Sequence, residues 1–185
     1  MGINRIEKAL SQLKDITDKE LVRELKELNP TISNEKYNNA FSCDAAVRIL
    51  EYLPDSEIDK AGRIPKSELY YLRKRMVFLF LGYINLVYMR STHLERELDR
   101  PLRVDSPLIY FRDIFRSGSI KKGEDTIIQH IRNSLCHGDI ILDFTNLEVQ
   151  FTDREWNISL PLLQYQNLCE QVGRYFMCAY EAMRR

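Results

Sequence analysis

Apolar positions recur every three or four residues along most of the chain, and every second residue in one short stretch before its last helix. Ile3, Ile6, Leu10, Leu13 and Ile16 keep the helical spacing. Thr17-Asp18-Lys19-Glu20 has the form of a capping box, in which the Thr hydroxyl and the Glu carboxylate each take a free backbone N–H. It predicts a second helix through Leu21, Val22, Leu25 and Leu28, ended by Pro30. This N-terminal pair, residues 1–34, either covers the core or forms an arm that docks on a partner protomer. Tyr37, Phe41, Ala45, Ile49 and Tyr52 predict a third helix that stops at Pro54, and polar residues 54–66 read as a loop. Ser67 is the expected N-cap of a long helix reaching about Asp99, apolar almost all round in its middle and therefore central. Arg100-Pro101 and Ser106-Pro107 bracket the next loop, and Leu108 to Phe115 form a short helix.

After the turn Lys121-Lys122-Gly123, another helix is expected to begin near Glu124 or Asp125, where acidic residues suit the positive end of the helix dipole, and to stop at Gly138. The period then changes to two. Ile140, Leu142 and Phe144 alternate with Ile141, Asp143 and Thr145, and Leu147, Val149 and Phe151 alternate with Glu148, Gln150 and Thr152. Asn146 sits at the turn, and Trp156 to Leu160 reads as a third short strand. Pro161 suits the first turn of a final helix faced by Leu162, Tyr165, Leu168, Cys169, Val172, Phe176, Ala179 and Met183. The expected fold class is all-α: one helical bundle over residues 1–185, with a short β-hairpin or three-strand insertion at 139–160 before the C-terminal helix.

Candidate chemistry concentrates in Gln129-His130-Ile131-Arg132-Asn133-Ser134-Leu135-Cys136-His137-Gly138-Asp139. On a helix, Ile128, Ile131 and Leu135 fall on one side, while Gln129, Arg132, Asn133, Cys136 and His137 form a polar stripe opposite. Histidine, with an unperturbed pKa of about 6.5, exchanges protons near neutral pH, and arginine offers a fixed planar cation to phosphate oxygens. Those are the groups needed when an RNA 2′-hydroxyl attacks its own phosphorus: a base, an acid and positive charge over the phosphoryl oxygens. His137 is one proton-transfer group, and the reaction uses two. A two-fold dimer that brings Arg132 and His137 of each protomer face to face would supply the second. Asn133 reads as an orienting group, and Cys136 as a small interface residue. His130 points away from the stripe centre and reads as structural or exposed, and His93 is given no role. Arg112, Arg116, Lys121 and Lys122 precede the motif and either line an RNA groove or form a solvated surface.

Arg132-Asn133-x-x-x-His137, followed by Gly138, a hairpin-like segment and a long helix, resembles the Arg-polar-x(3–5)-His motif of HEPN domains. The likeness to HEPN proteins of plasmid and phage defence covers roughly the last two-thirds of the chain. It implies a helical, dimeric, metal-independent endoribonuclease in a toxin or defence setting. Arg132, Asn133 and His137 would form the catalytic centre, and Gln129, Arg112, Arg116, Lys121 and Lys122 would meet the substrate. The implied partners are RNA, a second copy of the chain, and an antitoxin or regulator. Some HEPN toxins are controlled by modification of a tyrosine two residues after the histidine. Asp139 stands there in this chain, so any antitoxin would act in another way.

Charge changes the picture only by exclusion. The 27 basic and 27 acidic residues cancel, so no global field draws nucleic acid, and RNA contact would rest on local clusters. The four cysteines form no C-x-x-C pair, and the first residues lack a signal-peptide core, which together predict a reduced, cytoplasmic protein. Met76 to Met89, the most apolar run, is too short to span a bilayer. Cys136 and His137 are adjacent and lack a second ligand pair, which argues against zinc, and no Gly-rich phosphate loop is present, so no cofactor is expected. Two competing readings remain: a non-catalytic HEPN-like module that dimerises or binds RNA or protein, and an unrelated helical interaction protein.

Overall fold

The computed structural model describes residues 2–31, 62–63, 65–70, 82, 93–118, 125–143 and 145–184. The expected third helix, most of the 54–66 loop, most of the long helix after Ser67, and both Lys121 and Lys122 lie outside them. In chain order the described elements are α1 (Gly2–Leu13), α2 (Asp18–Leu28), a 3₁₀ turn (Leu94–Asp99), α3 (Leu108–Arg116), α4 (Ile127–His137), β1 (Ile140–Asp143), β2 (Glu148–Asp153), β3 (Trp156–Pro161) and α5 (Leu162–Met183). Residues 66–70 and Gly82 are also helical.

Thr17 opens α2 through the expected capping box: its hydroxyl accepts the Glu20 N–H, and the Glu20 carboxylate accepts the Thr17 N–H. Helices α1 and α2 pack on the chain's own core. Ile6, Leu10, Leu13, Leu21 and Leu25 are buried, with α1 packed on α3 and α2 on α5. Arg174 of α5 fastens the bend between the two helices by donating to the Leu13 and Ile16 carbonyls and to the Asp18 carboxylate. Beneath them lies an aromatic cluster of Phe111, Phe115, Tyr175 and Phe176, whose rings meet edge-on or tilted, as their quadrupoles favour.

Two sequence-based boundaries move. The helix expected to reach Asp99 does not continue to it: His93 takes φ 60, a left-handed conformation no α-helix admits, and Leu94–Asp99 forms a separate 3₁₀ turn. The motif helix α4 starts at Ile127 and not at Glu124 or Asp125, because the Thr126 side chain caps it.

The label all-α also needs correcting. The fold is mostly helical, but β1, β2 and β3 form an antiparallel sheet in that order, and the sheet contributes to the core. Ile140 pairs with Phe151 and Leu142 with Val149 across the first turn, and Val149 pairs with Leu160 across the second. Burial alternates along β2, which places Val149, Phe151 and Asp153 on its inner face against α4 and α5. Val149, Phe151 and Leu160 belong to the same cluster as the helical core residues. Among the described residues no helix is long and apolar enough to cross a membrane.

Candidate functional site

Helix α4 is fixed at both ends and along one side. At its start the Thr126 hydroxyl accepts the Gln129 N–H at 3.2 Å, and Gln129 Oε1 accepts the Thr126 N–H at 2.7 Å. Gln129, expected to touch substrate, therefore engages its side-chain oxygen in the cap. At its end Gly138 takes φ 76, and the N–H groups of Gly138 and Asp139 both reach the Ser134 carbonyl. Ile127, Ile128 and Ile131 face the core. Ser134, fully buried, places its hydroxyl 2.9 Å from the carbonyl oxygens of both His130 and Thr152, so the helix is hydrogen-bonded to β2 as well as packed on it.

On the polar side Asn133 is the central group. Its Nδ2 donates to Asp153 Oδ2 at 2.9 Å, and its Oδ1 accepts from the Arg132 guanidinium. The amide thus bonds a cation and a carboxylate while keeping them apart. Arg132 is half-buried, has no carboxylate partner among the described residues, and leaves its Nε without an acceptor there. By contrast, Arg116 of α3 is held by Asp99 through two hydrogen bonds of 2.9 and 2.7 Å. Arg112, also on α3 and half-buried, makes no hydrogen bond or ion pair among the described residues. Lys121 and Lys122 lie outside those residues.

Asp153 is the group the sequence reading missed. Its side chain is only 7% exposed, and the same Oδ2 that accepts from Asn133 lies 2.8 Å from His130 Nδ1. The hydrogen bonds from Asn133 and then His130 outweigh burial and hold the Asp153 carboxyl below the usual carboxylate range. The His130 ring also stacks on Trp156, with centroids 4.7 Å apart and planes 13° from parallel. A signal for Asp153 existed: extending the period-two face of β2 from Val149 and Phe151 by two residues puts a carboxylate on the core side, where it needs donors.

His137 occupies the last position of α4, exposed, with no hydrogen bond among the described residues. Cys136 beside it is also an exposed free thiol. The other described cysteines are poor nucleophiles, since burial raises the Cys169 thiol and pushes Cys178 up to about 11. Of the predicted catalytic set, then, Arg132 and Asn133 are joined directly, and His137 stands one turn further along without a bonded partner. Among the described residues, α4 thus carries a guanidinium without a carboxylate partner, an amide bonded to it and an exposed imidazole without a hydrogen bond. No protein-family model, curated protein or solved structure matches the chain.

Proposed function

We propose that this protein is a metal-independent endoribonuclease of the HEPN type, acting through Arg132, Asn133 and His137. The observation that carries the reading is the state of Arg132: a half-buried guanidinium held by an amide, with no carboxylate against it among the described residues, on the same helix as an exposed imidazole. A cation with no carboxylate against it among the described residues is suited to a phosphate, and a planar fork can meet two of its oxygens. Asn133 sets the direction of that fork. His137 exchanges a proton with the 2′-hydroxyl or the leaving 5′-oxygen. Arg112, without an ion pair among the described residues, is a further candidate for a phosphate contact. A two-fold dimer pairs the motif faces, and a toxin or defence role in a reducing cytoplasm, with an antitoxin or regulator as further partner, follows from the family resemblance.

A non-catalytic module is the second reading, favoured by the bond between Asn133 and Asp153. That bond ties α4 to β2, and a helix so fastened could serve as a rigid interface.

Incubating the purified protein with RNA in excess EDTA, beside His137→Ala, decides between them. The expected result is cleavage leaving 2′,3′-cyclic phosphate and 5′-hydroxyl ends, reduced about 100- to 10,000-fold in the variant. A folded dimer that cuts no RNA would favour the binding module, and equal cleavage by His137→Ala would remove the motif from the chemistry.

A further inference from the structure

His130 lies seven residues before His137 on α4, almost two whole turns, so the two imidazoles leave the helix on the same side with Asn133 between them. Its surroundings differ from those of an ordinary surface histidine. One ring face is stacked on Trp156, and Nδ1 is bonded to a buried carboxylate that also holds Asn133. An ionised carboxylate only accepts hydrogen bonds, so Nδ1 must carry the proton of the neutral ring, and Nε2 is then left with a free electron pair. The side chain keeps 22% of its surface exposed. Nε2 makes no hydrogen bond among the described residues and is not among the buried atoms lacking a partner, so it opens to solvent.

We propose that His130 is a second proton-transfer group of this site, locked by Asp153 and Trp156 with Nε2 turned outward as the acceptor. Its part in RNA cleavage rests on the ribonuclease reading above; its tautomer does not. In cleavage, His130 Nε2 takes the proton of the 2′-hydroxyl while the 2′-oxygen forms its bond to phosphorus. The bond from phosphorus to the 5′-oxygen breaks, its electron pair stays on that oxygen, and His137 supplies the proton that makes the 5′-hydroxyl. Solvent then removes the proton from His130 and restores the one on His137. Arg132, bonded to Asn133 between the two rings, faces the phosphoryl oxygens. The base is thus the chain's own, and the dimer serves to enclose the RNA and not to lend a histidine.

The test has two arms. Nitrogen NMR of the ¹⁵N-histidine-labelled chain in alkaline buffer, with His130 assigned by its loss in His130→Ala, should show a protonated Nδ1 and an unprotonated Nε2. A protonated Nε2 there overturns the proposal, with no activity needed to decide it. In the EDTA cleavage assay, His130→Ala should lose about 100- to 10,000-fold and regain part of that on addition of free imidazole, which fits the space between Trp156 and Asp153. A purely structural histidine would show no such rescue. Full activity of His130→Ala while His137→Ala is inactive overturns the role of His130 alone, whereas full activity of His137→Ala overturns the parent reading.

Discussion

Asn133 and Asp153 show how one polar pair can be both structural and functional. The amide separates the Arg132 guanidinium from the Asp153 carboxylate, so the cation remains available although an anion lies one hydrogen bond away. The arrangement also makes stability depend on pH in a defined sense. The folded state holds the Asp153 carboxyl below its ordinary value of about 3.9, so its contribution is complete above that pH. It is lost as pH falls further, through the lower folded value. Asp153→Asn is expected to reduce the acid-induced loss of stability below about pH 4. At neutral pH the same variant should be less stable by about 1–3 kcal/mol, because both donors lose an ionised acceptor and are left with a neutral amide oxygen. Urea unfolding followed by circular dichroism from neutral to acid pH checks both, and parallel curves for the two proteins would sink the linkage.

At the scale of elements, α4 owes its position to two side-chain devices and one backbone device. Thr126→Ala removes a cap and should destabilise by about 1 kcal/mol. Gly138→Ala should cost about 1–2 kcal/mol through its left-handed φ of 76 alone, since no atom of the described residues lies within 4 Å of the added methyl. Thermal unfolding of both variants measures these losses, and an unchanged midpoint for Gly138→Ala would show that the helix ends differently. Much of this was legible beforehand. Thr17 and Glu20 announce their capping box, Gly138 announces a stop, and the alternation from Ile140 onward announces strands, because each signal is local. Thr126 with Gln129 carries the same signature, yet Glu124 and Asp125 drew the expected start two or three residues early. What was not legible is pairing across elements. Nothing in the spacing of His130 joins it to Asp153 and Trp156, since that contact depends on how β2 registers against α4. The mostly helical fold with strands before its last helix was legible too, but the label all-α was too narrow: the strands are short, yet Val149, Phe151 and Leu160 belong to the common core.

Over the whole molecule, Gly82 is a point on which α4 and α5 both close. A methyl group there would lie 1.6 Å from the Tyr165 hydroxyl oxygen and 3.2 Å from a Leu135 methyl, so α5 and α4 both approach its bare backbone. Gly82→Ala should therefore destabilise by about 1–3 kcal/mol or more through overpacking. Tyr165→Phe in the same chain should restore part of the loss, a coupling that a double-mutant cycle in urea would detect and strict additivity would refute. The site and its scaffold also differ in how far apart along the chain their contacts lie. Asn133 meets Asp153 across 20 residues and His130 meets the same carboxylate across 23, whereas Arg174 meets Asp18 across 156. Short loops close faster than long ones, so the motif helix and its sheet can assemble as a local unit. Helices α1 and α2 leave the ribosome long before α5, so the packing of α2 on α5 and the Arg174 bonds to the bend between α1 and α2 form only once the last helix has emerged. The N-terminal pair is thus the part of the fold that is made first and fastened last.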